Sequence, residues 1–299
     1  MMLARMQRGL ILGLASLSIG VAWWTVLGGS PLWLAVFAAL AVMNVHAWAL
    51  ACEFAWLRRV DPGSGVPKPT ALALCRAWWG EVVTGLRVFG WRQPFRSRAV
   101  RDELRAAHGR RGVLLIHGFV CNRGLWNPWM KRLRKADTPY VAIDLEPVFG
   151  SIDRYVDAID AAVQRLELAT SMTPVIVAHS MGGLAVRAWL RRAGAPRRVH
   201  SVVTIATPHA GTWLARFAMT ENARQMREGS SWLHDLQTSE PPSLRALFTC
   251  YFGHCDNIVF PARNATLDGA ANHHVPGVAH VHLAFHAPIF DDVMQRIRS

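Results

Sequence analysis

Residues 175 to 192 read "VIVAHSMGGLAVRAWLRR". Val175, Ile176 and Val177 are β-branched and apolar, the composition of a short buried strand. One serine, Ser180, follows almost at once, then Met181, Gly182, Gly183 and a run with helical periodicity. A chain that passes from strand to helix within one residue must turn its backbone sharply there. Side chains two positions before and after the turn must be small, or they collide with the adjoining strands. Ala178 and Gly182 hold those two positions. The pattern therefore predicts a Ser180 hydroxyl pushed out of the end of a sheet. The amides of the following helix would point at the space above it, where they can hold a developing negative oxygen.

The same strand, turn and helix pattern recurs along the chain. "GVLLIHGF" (112 to 119), "TPYVAIDL" (138 to 145), "TPVIVAHS" (173 to 180) and "HSVVTIATPHAG" (200 to 211) read as strands. Amphipathic helices are expected over about 152 to 166 and 181 to 192. The alternation predicts an α/β domain over 106 to 299, with a mostly parallel sheet and helices on both faces. In such sheets the active groups gather at the carboxyl ends of the strands. His117, Ser180 and the Thr207-Pro208-His209 turn all fall there. Residues 212 to 245 interrupt the pattern. Trp213, Leu214, Phe217, Met219, Met226, Trp232 and Leu233 alternate there with charges. The stretch reads as a cap-like insertion over the pocket, though core packing explains its apolar face nearly as well.

The amino-terminal fifth is of another kind. Glu53 is the only charged residue between positions 9 and 57. Apolar runs over about 10 to 27 and 32 to 56 are separated by the turn residues Gly28, Gly29, Ser30 and Pro31. Each is close to the ~20 residues that cross a hydrocarbon core. A cleaved secretory signal would show one shorter run and then a small-residue cleavage site. Residues 1 to 60 are therefore expected to form a transmembrane helical hairpin. Arg5 and Arg8 precede it and Arg58 and Arg59 follow it, while the connecting loop is uncharged. The positive-inside rule then gives a multi-pass inner-membrane protein with both ends in the cytoplasm. Trp23, Trp24 and Trp33 would mark the outer interface, and Trp48 and Trp56 the inner one. Asn44, His46 and Glu53 either bond within the helix pair or mark a functional groove; the first is the plainer reading. Residues 61 to 105 comprise a Pro/Gly linker and a basic, Trp-rich stretch. That stretch suits either a helix in the membrane interface or one packed on the following domain. Because the strand pattern begins near Val113, residues 1 to 60 are expected to be removable without disturbing the site.

The chain carries a formal charge of +13, with pI near 10.8 and mean hydropathy +0.16. Such a chain favours anionic surfaces. No nucleic-acid-binding motif is present, so acidic lipid headgroups are the expected partner. The five cysteines have no framework spacing and read as free thiols. A local Cys250–Cys255 bridge is the alternative. No metal-ligand spacing and no cofactor motif is found.

"LLIHGF", "VAHSMGGLAVRAWL", "IATPHAGT", "CDNIVFP" and "VPGVAHVHL" occur in that order. In this the chain, over about 111 to 298, resembles the α/β-hydrolase superfamily, and within it the bacterial triacylglycerol lipases and esterases. The amino-terminal hairpin is not part of that pattern. The resemblance implies an α/β-hydrolase fold whose nucleophile elbow carries Ser180, with alanine in place of the first glycine. It implies the chain order Ser, acid, His. Asp256, just past the apolar "ALFTCYF", fits the acid; Asp268 is the runner-up, and Asp291 and Asp292 lie in the last helix. For the base, His273, His274, His280, His282 and His286 compete. "VPGVAH", with Ala279 where the family has glycine, points to His280, with His282 its rival. The N–H groups of Phe119 and Met181 would form the oxyanion hole. His117 would order its loop, His179 would be packed, and His209 would be structural or pocket-lining. The implied function is a membrane-anchored serine hydrolase that cleaves carboxylic esters of acyl lipids through an acyl-enzyme, with neither metal nor cofactor. Acyl transfer and thioester cleavage use the same intermediate and remain open. A non-catalytic membrane binding module is the reading of another class, and the complete Ser180, Asp256, His280 set speaks against it.

Overall fold

The computed structural model describes residues 2 to 298 apart from Ser64, Ala106 and Ala193. The chain opens with helix α1 (Met2–Leu27), then α2 (Leu32–Met43) and α3 (Val45–Leu57). After the linker come α4 (Ala71–Arg87), a single wide turn over Val88–Arg92, and α5 (Gln93–Arg96). Strand β1 (Val113–Ile116) starts the α/β part, followed by α6 (Asn127–Lys135), β2 (Tyr140–Ile143), α7 (Val156–Thr170), β3 (Val175–His179), α8 (Met181–Leu190) and β4 (Ser201–Ile205). The short helices α9 (Glu221–Gln225), α10 (Ser231–Ser239) and α11 (Pro242–Arg245) lead into β5 (Phe248–Phe252). Strand β6 (Ala271–His274), α12 (His280–Leu283) and α13 (Ala287–Arg298) complete the chain.

The six strands form one sheet in the order β2-β1-β3-β4-β5-β6. Every neighbouring pair is parallel. Alternation along the strands divides the core in two. Leu114, Ile116, Ile176, Ala178 and Val202 face α7 and α8. Val113, Leu115, Val175, Val177, Val203 and Ile205 face Trp129, Met130 and Leu133 of α6 and Ile289, Phe290 and Val293 of α13. Five of the strands lie where apolar runs predict them. The sixth, "ANHH", is exposed along its length and gives no apolar signal.

Helix α1 is long and apolar enough to cross a bilayer, and most of its surface is exposed. Its first turns are buried at Leu3, Ala4 and Gln7, and the Gln7 amide donates to Gln93 Oε1 of α5 at 2.7 Å. Helix α2 packs back along α1, where the Ser18 hydroxyl donates to Ala39 O at 2.8 Å.

The second apolar run departs from the single helix expected over 32 to 56. It bends by 60° between α2 and α3. At the bend the Asn44 side-chain amide donates to Leu40 O at 2.8 Å, a bond that competes with the helical ladder and tilts the next turn. Helix α2 has 12 residues; at ~1.5 Å each this is about 18 Å, short of the ~30 Å hydrocarbon core.

Helix α3 then runs against the α/β part. Phe54 and Leu57 join Leu74 and Ala77 of α4 and Cys255, Phe260 and Ala279 in one buried cluster. Helices α3 and α4 are tied where Trp78 Nε1 donates to Ala47 O at 3.1 Å. A side chain on Gly85 would collide with the His46 ring, so glycine allows that crossing. The basic, Trp-rich helix thus packs on the domain through one face, while Leu72, Trp79 and Leu86 stay exposed.

Candidate active site

Ser180 stands between β3 and α8 with φ 54° and ψ −130°, a left-handed region that is costly for a residue with a Cβ. The surroundings hold it there. Its N–H donates to Ile205 O at 2.8 Å, and the Thr207 hydroxyl donates to its carbonyl at 2.9 Å. Gly182 faces the strand next door: a Cβ there would come within 2.6 Å of His117 O and 2.9 Å of Ile116 O. A Cβ on Gly118 would come within 2.7 Å of Ser180 Cβ. The β1 loop therefore passes directly over the serine because residue 118 has no side chain.

Ser180 Oγ lies 3.0 Å from His280 Nε2. His280 Nδ1 lies 3.0 Å from both carboxylate oxygens of Asp256. The three side chains come from the ends of β3 and β5 and the start of α12, and all are buried. Asp256 is itself oriented, its Oδ1 accepting the N–H of Ile258 at 2.9 Å and of Val259 at 2.8 Å. Burial opposes the charged form of His280, but the carboxylates around it, Asp256 first and then Glu81 and Glu53, together more than offset it, and the imidazole titrates above its ordinary value.

The rival residues sit elsewhere. Asp268 is exposed. Asp291 faces Arg132 at 3.4 Å, and Asp292 faces Arg296 at 2.8 Å. His273 stacks on Tyr251, and His274 meets His254 at 2.7 Å. The ring of His282 lies against Gly80 of α4, where a Cβ would meet its Nδ1 at 2.6 Å. Cys121 is in the same cavity as Ser180, but burial pushes its thiol up to about 12, so it stays protonated and is a poor nucleophile.

Two further histidines, His117 and His179, hold backbone. His117 Nε2 accepts the Leu145 N–H at 3.0 Å, which leaves the Nδ1 hydrogen for Gly118 O at 2.9 Å. His179 Nε2 donates to His280 O at 3.1 Å, and burial keeps its ring neutral. His209 Nε2 bonds to the Thr204 hydroxyl at 3.0 Å. Met181 opens α8 and is buried. Phe119 is half-buried, its ring edge-on to Phe149.

A cavity of about 280 Å³ lies over Ser180. Phe119, Val120, Ile258 and Val281 line it from the domain, Phe89 and Gly85 from the α4 end, and His46, Ala49, Leu50 and Glu53 from α3. No residue between 212 and 245 is among its lining. In that segment Met226 and Leu233 join the core beside α8, while Trp213 and Phe217 pack on Trp56. The wall over the site is therefore built in part by α3, which lies within residues 1 to 60, and by the end of α4.

Three residues that the sequence did not assign to the site meet at α12. Asn257 Oδ1 accepts the His280 N–H at 3.3 Å, and Asn257 Nδ2 donates to Glu53 at 2.6 Å. Glu81 accepts the N–H of Val281 at 2.8 Å and of His282 at 2.9 Å. Burial pushes Glu81 up to about 7. A signal did exist: Glu53 is the lone charge of its apolar run, and Glu81 the lone acid between Asp61 and Asp102. All five cysteines are unpaired, Cys250 and Cys255 included. Among the described residues no group of three His, Cys, Asp or Glu side chains could hold a metal ion.

The profile of the alpha/beta hydrolase fold matches residues 112 to 238. The lipase BlEst2 of Bacillus licheniformis, in its mature form, superposes with TM-score 0.57 at 17% identity, over 63% of this chain and 92% of that one. Its propeptide form gives 0.56 at 17% identity, over 65% of this chain and 52% of that one. A comparison with curated protein sequences returned no match. These likenesses and the six-stranded parallel sheet agree: the chain has the α/β hydrolase fold, with lipases among its structural neighbours.

Proposed function

We propose that the protein is a membrane-anchored serine hydrolase that cleaves carboxylic esters of acyl lipids. One observation carries the reading: Ser180 Oγ is 3.0 Å from His280 Nε2, and His280 Nδ1 is 3.0 Å from Asp256. With the Nδ1 hydrogen directed at the carboxylate, Nε2 presents its lone pair to the Ser180 hydroxyl. His280 takes that proton as Ser180 attacks the ester carbonyl, and Asp256 stabilises the imidazolium. The N–H groups of Met181 and Phe119 receive the oxyanion; one such donor is worth roughly a hundred- to a thousand-fold in rate. The intermediate collapses, His280 protonates the departing alcohol, and a water activated in the same way releases the acid from the acyl-enzyme.

The cavity of about 280 Å³ is mostly apolar and falls just below the ~300–1,000 Å³ of sites that enclose a drug-sized ligand. It suits one acyl chain rather than a whole lipid. In this reading α1 and α2 insert as a hairpin, and α3 carries the second run from the bend back to the domain with Trp48 exposed. Trp79, Trp91, Phe217 and Met219 are further exposed apolar side chains that a membrane surface would take up. Arg5, Arg8, Arg96 and Arg98 surround one cavity at the foot of α1, where acidic headgroups are the fitting partner. The arginine flanks favour a cytoplasmic domain on an inner membrane.

A fluorophosphonate probe tests the reading. It is expected to label the full-length protein and to leave Ser180→Ala unlabelled; equal labelling of both would sink it. Parallel assays with p-nitrophenyl esters, acyl thioesters and an added alcohol acceptor separate ester hydrolysis from thioester cleavage and acyl transfer.

A further inference from the structure

The base of the site is held from an unexpected side. His280, Val281 and His282 are the first three residues of α12, and their N–H groups have no partner within the helix. All three are taken by side chains. Asn257, fully buried, accepts from His280 at 3.3 Å and hands its own amide to Glu53 of α3 at 2.6 Å. Glu81 of α4, also buried, takes the other two with one oxygen each, at 2.8 and 2.9 Å. Among the described residues no ion pair joins Glu53 or Glu81 to a lysine, arginine or histidine within 4.0 Å. Two carboxylates are thus held without a neutralising partner beside an imidazole that must become a cation during the reaction.

We propose that Glu53 and Glu81 are positioning residues for His280, so that the amino-terminal helices complete the active site as well as anchor it. The inference rests on the reading of Ser180, His280 and Asp256 as a catalytic triad. Two effects are combined. The hydrogen bonds fix the backbone from which the imidazole hangs, where a shift of about 1 Å costs on the order of a hundredfold in rate. Each glutamate, when ionised, also stabilises the imidazolium, adding to Asp256. The groups facing His280 are Asp256 from the β5 loop, Glu53 from α3, Glu81 from α4 and His179 from β3, whose ring lies 4.7 Å away and is neutral. Three of the four raise its basicity, so loss of either glutamate moves the acid limb of the pH profile downwards.

The test uses the full-length protein in lipid nanodiscs and a soluble p-nitrophenyl ester. Glu53→Ala is expected to lose at least tenfold in kcat with KM changed less than threefold. Glu53→Gln, whose Oε1 still accepts the Asn257 amide, recovers most of kcat yet keeps the shifted acid limb. Glu81→Ala loses kcat similarly, and Glu81→Gln recovers only part, because its amide group cannot accept the second N–H. Fluorophosphonate labelling rates should follow kcat. Wild-type kcat and pH profile in both alanine variants would overturn the inference. So would a loss of kcat that tracks a lowered Tm and leaves the acid limb unmoved, since that describes a merely structural role. If Glu81→Ala does not fold, the two Glu53 variants decide. A wild-type protein that fails to label at Ser180 would instead overturn the triad reading and leave the hydrogen bonds around α12 in place.

Discussion

Arg187 of α8 and Glu240, which follows α10, are both fully buried. Arg187 Nε donates to Glu240 Oε1 at 2.8 Å and Nη2 to Oε2 at 2.7 Å, a two-pronged pair, and Nη1 donates to His209 O at 2.9 Å. This pair pins the 231 to 245 stretch to the helix that begins at the serine. Replacing Arg187 with Met fills similar volume but strands the Glu240 carboxylate. Among the described residues only Arg245 remains near, at 3.7 Å, too far for a hydrogen bond. Breaking a buried pair by removing one partner costs about 3–5 kcal/mol, against a total of about 5–15 kcal/mol for a typical domain. For a domain near 200 residues each kcal/mol is worth about 2–4 °C in Tm, so Arg187→Met should unfold roughly 6–20 °C lower. The double variant Arg187→Met/Glu240→Leu removes both charges and should come back to within about 1 kcal/mol of the parent. Calorimetry of the detergent-solubilised protein reads both. A single-variant cost below about 1 kcal/mol would mean that water reaches Glu240. The 212 to 245 segment would then lift away as a mobile cap, and its packing on the core would not fix it.

His280→Ala should abolish ester hydrolysis while His282→Ala keeps much of it, since only the former ring reaches Ser180 and Asp256; steady-state rates of the two decide, and the reverse result would move the base by two residues. Gly182→Ala forces a Cβ to 2.6 Å from His117 O and should displace the loop over the serine, lowering kcat by about a hundredfold for each ångström moved; a rate within twofold of wild type would show that the loop yields freely. Deleting residues 2 to 60 removes the α3 wall and the Glu53 contact, so the remaining chain should lose most activity on short esters, and full activity would contradict the lining by α3. An alkaline phosphatase fused after residue 299 should be silent, and an active fusion would reverse the orientation inferred from Arg5, Arg8, Arg58 and Arg59.

What the sequence made legible was local. Strands β1 to β5 are short apolar runs bounded by turn residues, and burial on both faces makes such runs visible. The Ser180 corner is visible because steric need leaves its trace in neighbouring small residues. Asp256 and His280 could be placed only through chain order and the resemblance, since nothing local separates His280 from four competing histidines. Strand β6 escaped because an exposed edge strand needs no apolar alternation. The bend at Asn44 escaped because one amide in an apolar run is weak against a hydropathy average. The contacts of Glu53 and Glu81 span some 200 residues of chain, and no periodicity reports a contact at that separation. An isolated acid in an apolar or basic run was the trace that remained.

Glu81 shows how magnitudes set what such a residue can be. Burial pushes its carboxyl from the ordinary 4.5 up to about 7. The folded state therefore holds a proton that the unfolded chain releases, so this group's contribution is intact below pH 4.5 and declines as pH rises to 7. The total decline is about 3 kcal/mol. Against this stand the N–H groups of Val281 and His282, which would cost about 1–3 kcal/mol each if left buried and unpaired. A leucine at 81 would escape the first cost and incur the second twice. A glutamine would escape the first and incur the second once. The balance is close, so the three side chains should differ little in stability at and above neutral pH and diverge below it. Urea unfolding of the wild type should lose stability between pH 4.5 and 7 relative to Glu81→Gln. Parallel pH curves for the two would show that Glu81 is hydrated in the folded protein, and its hold on the His280 turn would then be too weak to matter.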